Sequence, residues 1–121
     1  MTKKVQVVNL SRNTVILQKA AVADTFFQRL RGLLGCKGLL PGEGLIIRPC
    51  QAVHTWGMFF PLDVAFVDPG DCICYLMEGM GPCRCSPVIK KAGYVIEATA
   101  GTFRQTQTQC GDQIKLEKWG S

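Results

Sequence analysis

Apolar and polar positions alternate along this chain at two different periods, and the changes between them mark out its elements. Val5 and Val7, and then Thr14–Leu17, follow the two-residue alternation of strands around a turn cluster of Asn9, Ser11, Arg12 and Asn13. From Asp24 the period lengthens. Phe26, Phe27, Leu30, Leu33 and Leu34 fall on one face of a helix. Asp24 or Thr25 is placed to cap its start and Gly35 to end it in a left-handed turn, so the spacing predicts a helix near residues 24–34. After the Gly- and Pro-rich GCKGLLPGEG, short strands are predicted at Leu45–Ile47, Val53–Trp56 and Asp63–Val67, the last two flanking Pro61. Asp68-Pro69-Gly70-Asp71 is a turn that returns the chain at Cys72–Met77 as the second arm of a hairpin. Met80 to Lys91 shows no period and reads as loop. Gly93–Ala98 and Gln113–Glu117 are the last predicted strands.

Many short strands with one helix predict a mainly β (α+β) fold, a compact antiparallel, barrel-like sheet with the helix plugging one end. At 121 residues, without repeat or linker, a single domain over 1–121 is expected. An apolar fraction of 47% marks a packed globule rather than a disordered chain. Only 19% of residues are charged, which leaves surface on which a second copy could pack as a homo-oligomer. The net charge of +5 is spread over pairs such as Lys3-Lys4 and Lys90-Lys91, with no dense basic tract, so nucleic acid is not expected as a partner. No run approaches the roughly 18 apolar residues of a membrane span. The opening MTKKVQVVNLSRN lacks the apolar centre of a secretory signal, and a cytoplasmic protein is expected. The seven cysteines are an odd number, which fits reduced thiols better than a disulfide framework.

The densest chemistry lies in PCQAVHTWGMFFPLDVAFVD, residues 49–68, which holds the only histidine. If residues 50–58 are extended, Cys50, Ala52, His54, Trp56 and Met58 share one face. Cys, His and Met are soft ligands, but residues four apart on a strand lie roughly 13 Å apart. A straight strand therefore brings neither a metal set nor a Cys50–His54 nucleophilic pair together. Asp63 opens an apolar strand, where a carboxyl must be hydrogen-bonded or face solvent. It either caps the bend around Gly57–Phe60 or pairs with His54 and orients its ring. A second constellation is Cys72, Cys74, Cys83 and Cys85, a weak match to structural zinc spacing that also suits a labile disulfide or unlinked thiols. The common phosphate-loop, dinucleotide, nucleophile-elbow and zinc-protease motifs are all absent.

The order of these short motifs resembles the domain-of-unknown-function 192 family of small bacterial and archaeal proteins. The likeness runs through Arg31-Gly32-Leu33, Gly42-Glu43-Gly44-Leu45, His54-Thr55-Trp56-Gly57-Met58, Pro61-Leu62-Asp63, Phe66-Val67-Asp68, Val95-Ile96-Glu97, Ala100-Gly101 and Gly111-Asp112. It implies a mostly β domain and no established activity, cofactor or catalytic residue; Cys72, Cys74, Cys83 and Cys85 look like local additions to the family pattern. Three functions compete on the residues alone. The first is a β module binding a small ligand or a protein partner at the bend, through His54, Trp56, Met58 and Asp63. The second is a hydrolase or transferase with His54 as general base and Asp63 as its orienter, Glu97 and Asp112 being spare carboxylates. The third is a thiol or zinc protein using the four cysteines.

Overall fold

A computed structural model describes residues 3–25, 28–29, 32–33 and 38–120. Its strands are β1 (Lys3–Asn9), β2 (Thr14–Ala23), β3 (Glu43–Ile47), β4 (Leu62–Val67), β5 (Ile73–Met80), β6 (Tyr94–Thr99) and β7 (Ile114–Lys118). They form one seven-stranded sheet in the order β5-β4-β6-β3-β2-β1-β7, curled into a half-barrel. The edge strands meet at one end. Cys72 bridges to Gln113, the Ile73 N–H donates to the Asp112 carbonyl at 2.9 Å, and the Ile114 N–H donates to the Asp71 carbonyl at 2.9 Å.

Side-chain parity splits the apolar residues of the middle strands into two cores. Ile46 of β3, Ala65 and Val67 of β4, and Tyr94, Ile96 and Ala98 of β6 face the first core, with Leu17, Phe103 and Ile114. Leu45 and Ile47, then Leu62, Val64 and Phe66, and Val95 face the second, where Val53, Met58 and Leu33 cover them. Burial on both faces explains why LDVAFV and YVIEAT read as nearly unbroken apolar runs. Each run nevertheless carries one carboxyl group. Asp63 falls on the first face and Glu97 on the second, by the parity of their strands.

The pairing departs from the all-antiparallel expectation at one point: β2 and β3 run parallel, Ala20 beside Gly44 and Val22 beside Ile46. The segment between them carries the predicted helix, the kind of crossover that parallel strands require. Of that helix, Phe26, Phe27, Leu30, Leu34 and Gly35 lie outside the described residues. At its start Asp24, Thr25, Gln28 and Arg29 are described. Thr25 Oγ1 accepts from the Gln28 N–H at 3.2 Å, Gln28 Oε1 accepts from the Asp24 and Thr25 N–H groups, and the Arg29 N–H donates to the Thr25 carbonyl. Of the two residues placed to cap, Thr25 accepts this bond, and Gln28 completes a capping box. A short helix that the pattern did not predict, α1 (Thr102–Gln105), stands between β6 and β7. At four residues it is too short to show a period.

Gly44 sits in the crowded middle of β3. A Cβ there would run into the Glu97 backbone carbonyl and the Leu17 side chain. Gly44→Ala is expected to destabilise the fold by about 2 kcal/mol, because neither backbone nor core can yield freely. Urea denaturation checks this, as a lowered midpoint with an unchanged slope; an unmoved midpoint would show that the strands can separate here.

Candidate functional site

The strand predicted at Val53–Trp56 does not form. Only His54 makes a bridge, to Cys85, and the rest pairs irregularly with the loop after β5. The Thr55 N–H donates to the Arg84 carbonyl, the Ser86 N–H to Val53, and the Ile89 N–H to Gln51, each at 2.8 Å. Thr55 is fully buried and anchors the segment: its hydroxyl donates to the Gly81 carbonyl at 2.6 Å and accepts from the Arg84 N–H at 2.8 Å. Its carbonyl accepts from the Met58 N–H at 3.1 Å, closing a tight turn that places Gly57 at φ +79°. That turn ends any strand. It tips Trp56 into solvent, 58% exposed, with its ring 5.4 Å from that of His54, and sends Met58 back into the second core.

Between this segment, the turn carrying Arg29 and the face of β6 lies a cavity of about 140 Å³. Leu33, Ile47, Val53 and Met58 make it apolar; Arg29, Cys50, His54 and Glu97 supply its polar groups. Glu97 is only 4% exposed, and among the described residues nothing donates a hydrogen bond to its carboxyl group. Burial alone pushes its pKa up to about 7. Arg29 donates from a terminal nitrogen to the Pro49 carbonyl at 3.4 Å, whereas its buried Nε–H has no acceptor among the described residues. The Cys50 thiol donates to the Ala52 carbonyl at 3.1 Å. Burial raises its pKa, with Glu97 adding to the rise and Arg29 opposing it, so Cys50 stays protonated and a poor nucleophile.

The other two buried carboxylates among the described residues are fully engaged. Asp63 has no exposure; its Oδ1 accepts from the Gly79 N–H at 2.8 Å, and its Oδ2 from the Gly101 and Phe103 N–H groups at 3.0 and 3.1 Å. It ties β4 to the Gly79 kink of β5 and to the start of α1. Asp63 therefore lies on the opposite face of the sheet from the cavity, and the His54–Asp63 pair is not formed. Asp112 accepts from the Asn9 amide at 2.9 Å, the Gln109 N–H at 2.8 Å and the Arg12 guanidinium at 3.2 Å. Burial works to raise its pKa, and these donors outweigh it and lower the pKa below the ordinary aspartate value.

The model of the family described as Uncharacterized ACR, domain of unknown function 192, matches residues 7–116. The chain belongs to this family. It is 28% identical over 117 residues to a UPF0127 protein of Thermococcus sibiricus, covering 91% of this chain and 73% of that one. A solved protein of unknown function from Novosphingobium aromaticivorans superposes with a TM-score of 0.80 at 21% identity, over 94% of this chain and 84% of its own. A second solved protein, from Sinorhizobium meliloti, gives 0.79 at 21% identity, over 96% and 94%. At that identity the likeness speaks for the fold. In this member of the domain-of-unknown-function 192 family, the motif His54-Thr55-Trp56-Gly57-Met58 is the buried anchor and tight turn just described.

The cysteine pairs of this family member do not form one centre. Cys72 lies beside Gln113, with its thiol 3.5 Å from the Gly111 carbonyl, and Cys74 donates to the Phe66 carbonyl at 3.4 Å. Cys83 and Cys85 are exposed in the loop that pairs with His54 and Thr55. The four-thiol zinc set is thus split, and among the described residues no three His, Cys, Asp or Glu side chains converge to hold a metal ion. Cys36 lies outside the described residues. Of the polar cavity residues, the pattern does not single out Arg29, and it offers Glu97 only as a spare carboxylate and not as part of the site. Glu97 carried a usable signal, as the one charged residue in the apolar run YVIEAT.

Proposed function

We propose that this protein is a small-molecule-binding β module whose site is the cavity walled by Cys50, His54, Met58 and Glu97. The observation that carries the reading is Glu97, a largely buried side chain whose carboxyl accepts no hydrogen bond from the described residues and lines a space of about 140 Å³. A fold rarely keeps such a group unless something else meets it. An apolar cavity with a few convergent polar groups is the usual form of a ligand site, and one of about 150 Å³ accommodates a molecule the size of benzene. His54 and Met58 are wall residues, Trp56 is an exposed ring tilted against His54, and Asp63 belongs to the scaffold. An enzyme based on His54 lacks support, because Asp63 does not orient its ring and Cys50 is held as a thiol. The six unlinked cysteines among the described residues favour a reducing compartment such as the cytoplasm.

A panel of small molecules of up to about eight non-hydrogen atoms, titrated into the isotopically labelled chain, tests the reading. Binders are expected to move the amide resonances of Cys50, Val53, His54, Met58 and Glu97. Ala52 is exposed at the cavity wall, so Ala52→Trp should block entry and weaken every binder at least tenfold without lowering the melting temperature. A panel that moves none of these resonances, or binders indifferent to Ala52→Trp, would refute the site.

A further inference from the structure

The cavity contains two unmet needs of opposite sign. Glu97 has no donor, and the buried Arg29 Nε–H has no acceptor, among the described residues. The two do not satisfy each other: no ion pair joins them, and the titration of Glu97 is governed by burial alone. Cys50 lines the same space, its thiol close enough to feel both charges, Glu97 raising its pKa and Arg29 lowering it. Around these groups, Leu33, Ile47, Val53 and Met58 present hydrocarbon and thioether to the space.

We infer that the ligand is a small α-amino acid zwitterion, its ammonium held by Glu97, its carboxylate by Arg29, and a short aliphatic side chain against Val53 and Met58. This rests on the cavity being the binding site. Size sets the first limit: about 140 Å³ accommodates glycine, alanine or serine, of roughly five to seven non-hydrogen atoms, and excludes aromatic side chains. Charge sets the second. A simple carboxylate would satisfy Arg29 but face Glu97, and a simple amine would leave the Arg29 Nε–H unmet. A neutral amide can hydrogen-bond to both groups, but it carries no charge of its own and so adds no ion-pair attraction at either. Only a molecule carrying both charges a few bonds apart answers both groups at full strength.

The test titrates the full-length labelled protein with alanine and with three matched molecules: propionate, ethylamine and propionamide. Alanine is expected to bind at least tenfold more tightly than any of the three and to shift the amides of Cys50, Val53 and Glu97. Glu97→Gln should weaken alanine at least tenfold and leave propionamide within about twofold. Arg29→Met should weaken alanine and propionate together. Propionamide binding as tightly as alanine, or alanine binding that survives Glu97→Gln, overturns the zwitterion while the cavity stands. If none of the four moves the cavity resonances and the wider panel does, the ligand class is wrong. If neither does, the site itself falls.

Discussion

Asp63→Ala will destabilise the fold by about 4 kcal/mol, the largest loss expected from any substitution considered above. The wild-type carboxyl accepts three backbone N–H groups at 2.8, 3.0 and 3.1 Å, from Gly79, Gly101 and Phe103, with no exposure of its own. A hydrogen bond to a charged group contributes about 1.5–3 kcal/mol, and each buried N–H left without an acceptor costs about 1–3 kcal/mol. The three donors come from two separate stretches of chain, so alanine also unties the β5 kink and α1 from β4. Water can re-satisfy part of the deficit near Gly79 and Gly101, which stand at the surface edge, and this holds the figure near 4 rather than 6. Asp63→Asn keeps one acceptor oxygen and should lie between, near 2 kcal/mol. Urea denaturation of the three proteins at neutral pH measures the order; an alanine variant within 1 kcal/mol of the parent would mean that the three bonds do not hold these segments.

The same residue shows where the pattern was readable and where it stopped. The strands at Leu45–Ile47, Asp63–Val67 and Gly93–Ala98 were plain from their β-branched and apolar runs, and Asp68–Asp71 announced its hairpin through Asp68. The Asp68 Oδ1 accepts from the Gly70 and Cys72 N–H groups at 2.9 and 3.0 Å, the local chemistry such turns use. The parallel neighbours β2 and β3 were not legible, because pairing direction depends on how a crossover packs and not on the strands it joins. Val53–Trp56 failed as a strand for a tertiary reason: Thr55 spends its hydroxyl and its carbonyl on the loop at 81–84 and on the turn at Gly57. Faces were more legible than contacts. Counting parity from Val64 and Phe66, which look toward Met58, puts Asp63 on the other side of the sheet from His54. Proximity around a bend suggested the opposite.

Three carboxyl groups sit in or beside the apolar core, and the distribution of donors gives each a different role. Asp63 and Asp112 are surrounded by N–H groups and tie distant stretches of chain together. Glu97 occupies an equally buried place without any donor among the described residues. Burial and charge in a sequence flag all three alike. The difference lies in which donors the fold brings near, and most of those lie far away along the chain: the Gly79, Gly101 and Phe103 N–H groups for Asp63, and the Asn9 and Arg12 side chains for Asp112. The site was therefore half legible: His54 and Met58 through their segment, Glu97 only once its neighbours were in place.

Glu97→Gln is expected to stabilise the protein at alkaline pH by about 3 kcal/mol and to leave it nearly unchanged below pH 4.5. Burial pushes the Glu97 pKa in the folded chain from the ordinary 4.5 up to about 7. Below pH 4.5 the group carries its proton in both states, and it exerts no electrostatic effect on folding. Between 4.5 and about 7 the unfolded chain releases the proton while the folded chain keeps it, so stability falls by about 1.4 kcal/mol for each pH unit. Above about pH 7 both states are ionised and the loss is complete, at about 3 kcal/mol. Glutamine has the same shape and never ionises, so the variant escapes this loss. Asp112 works in the other direction, because its lowered pKa adds stability that disappears only as pH falls below its ordinary 3.8. Both proteins carry Asp112, so it cancels in the difference between them. Chemical denaturation of parent and variant from pH 4.5 to pH 8 reads that difference directly. A gap that stays constant, or widens toward acid, would mean that a donor reaches the carboxyl and that the buried charge is already met. A gap that opens as pH rises from 4.5 to about 7 and then levels off would mean that the fold keeps an unmet charge at a measurable loss of stability, as expected if a ligand's ammonium is what completes it.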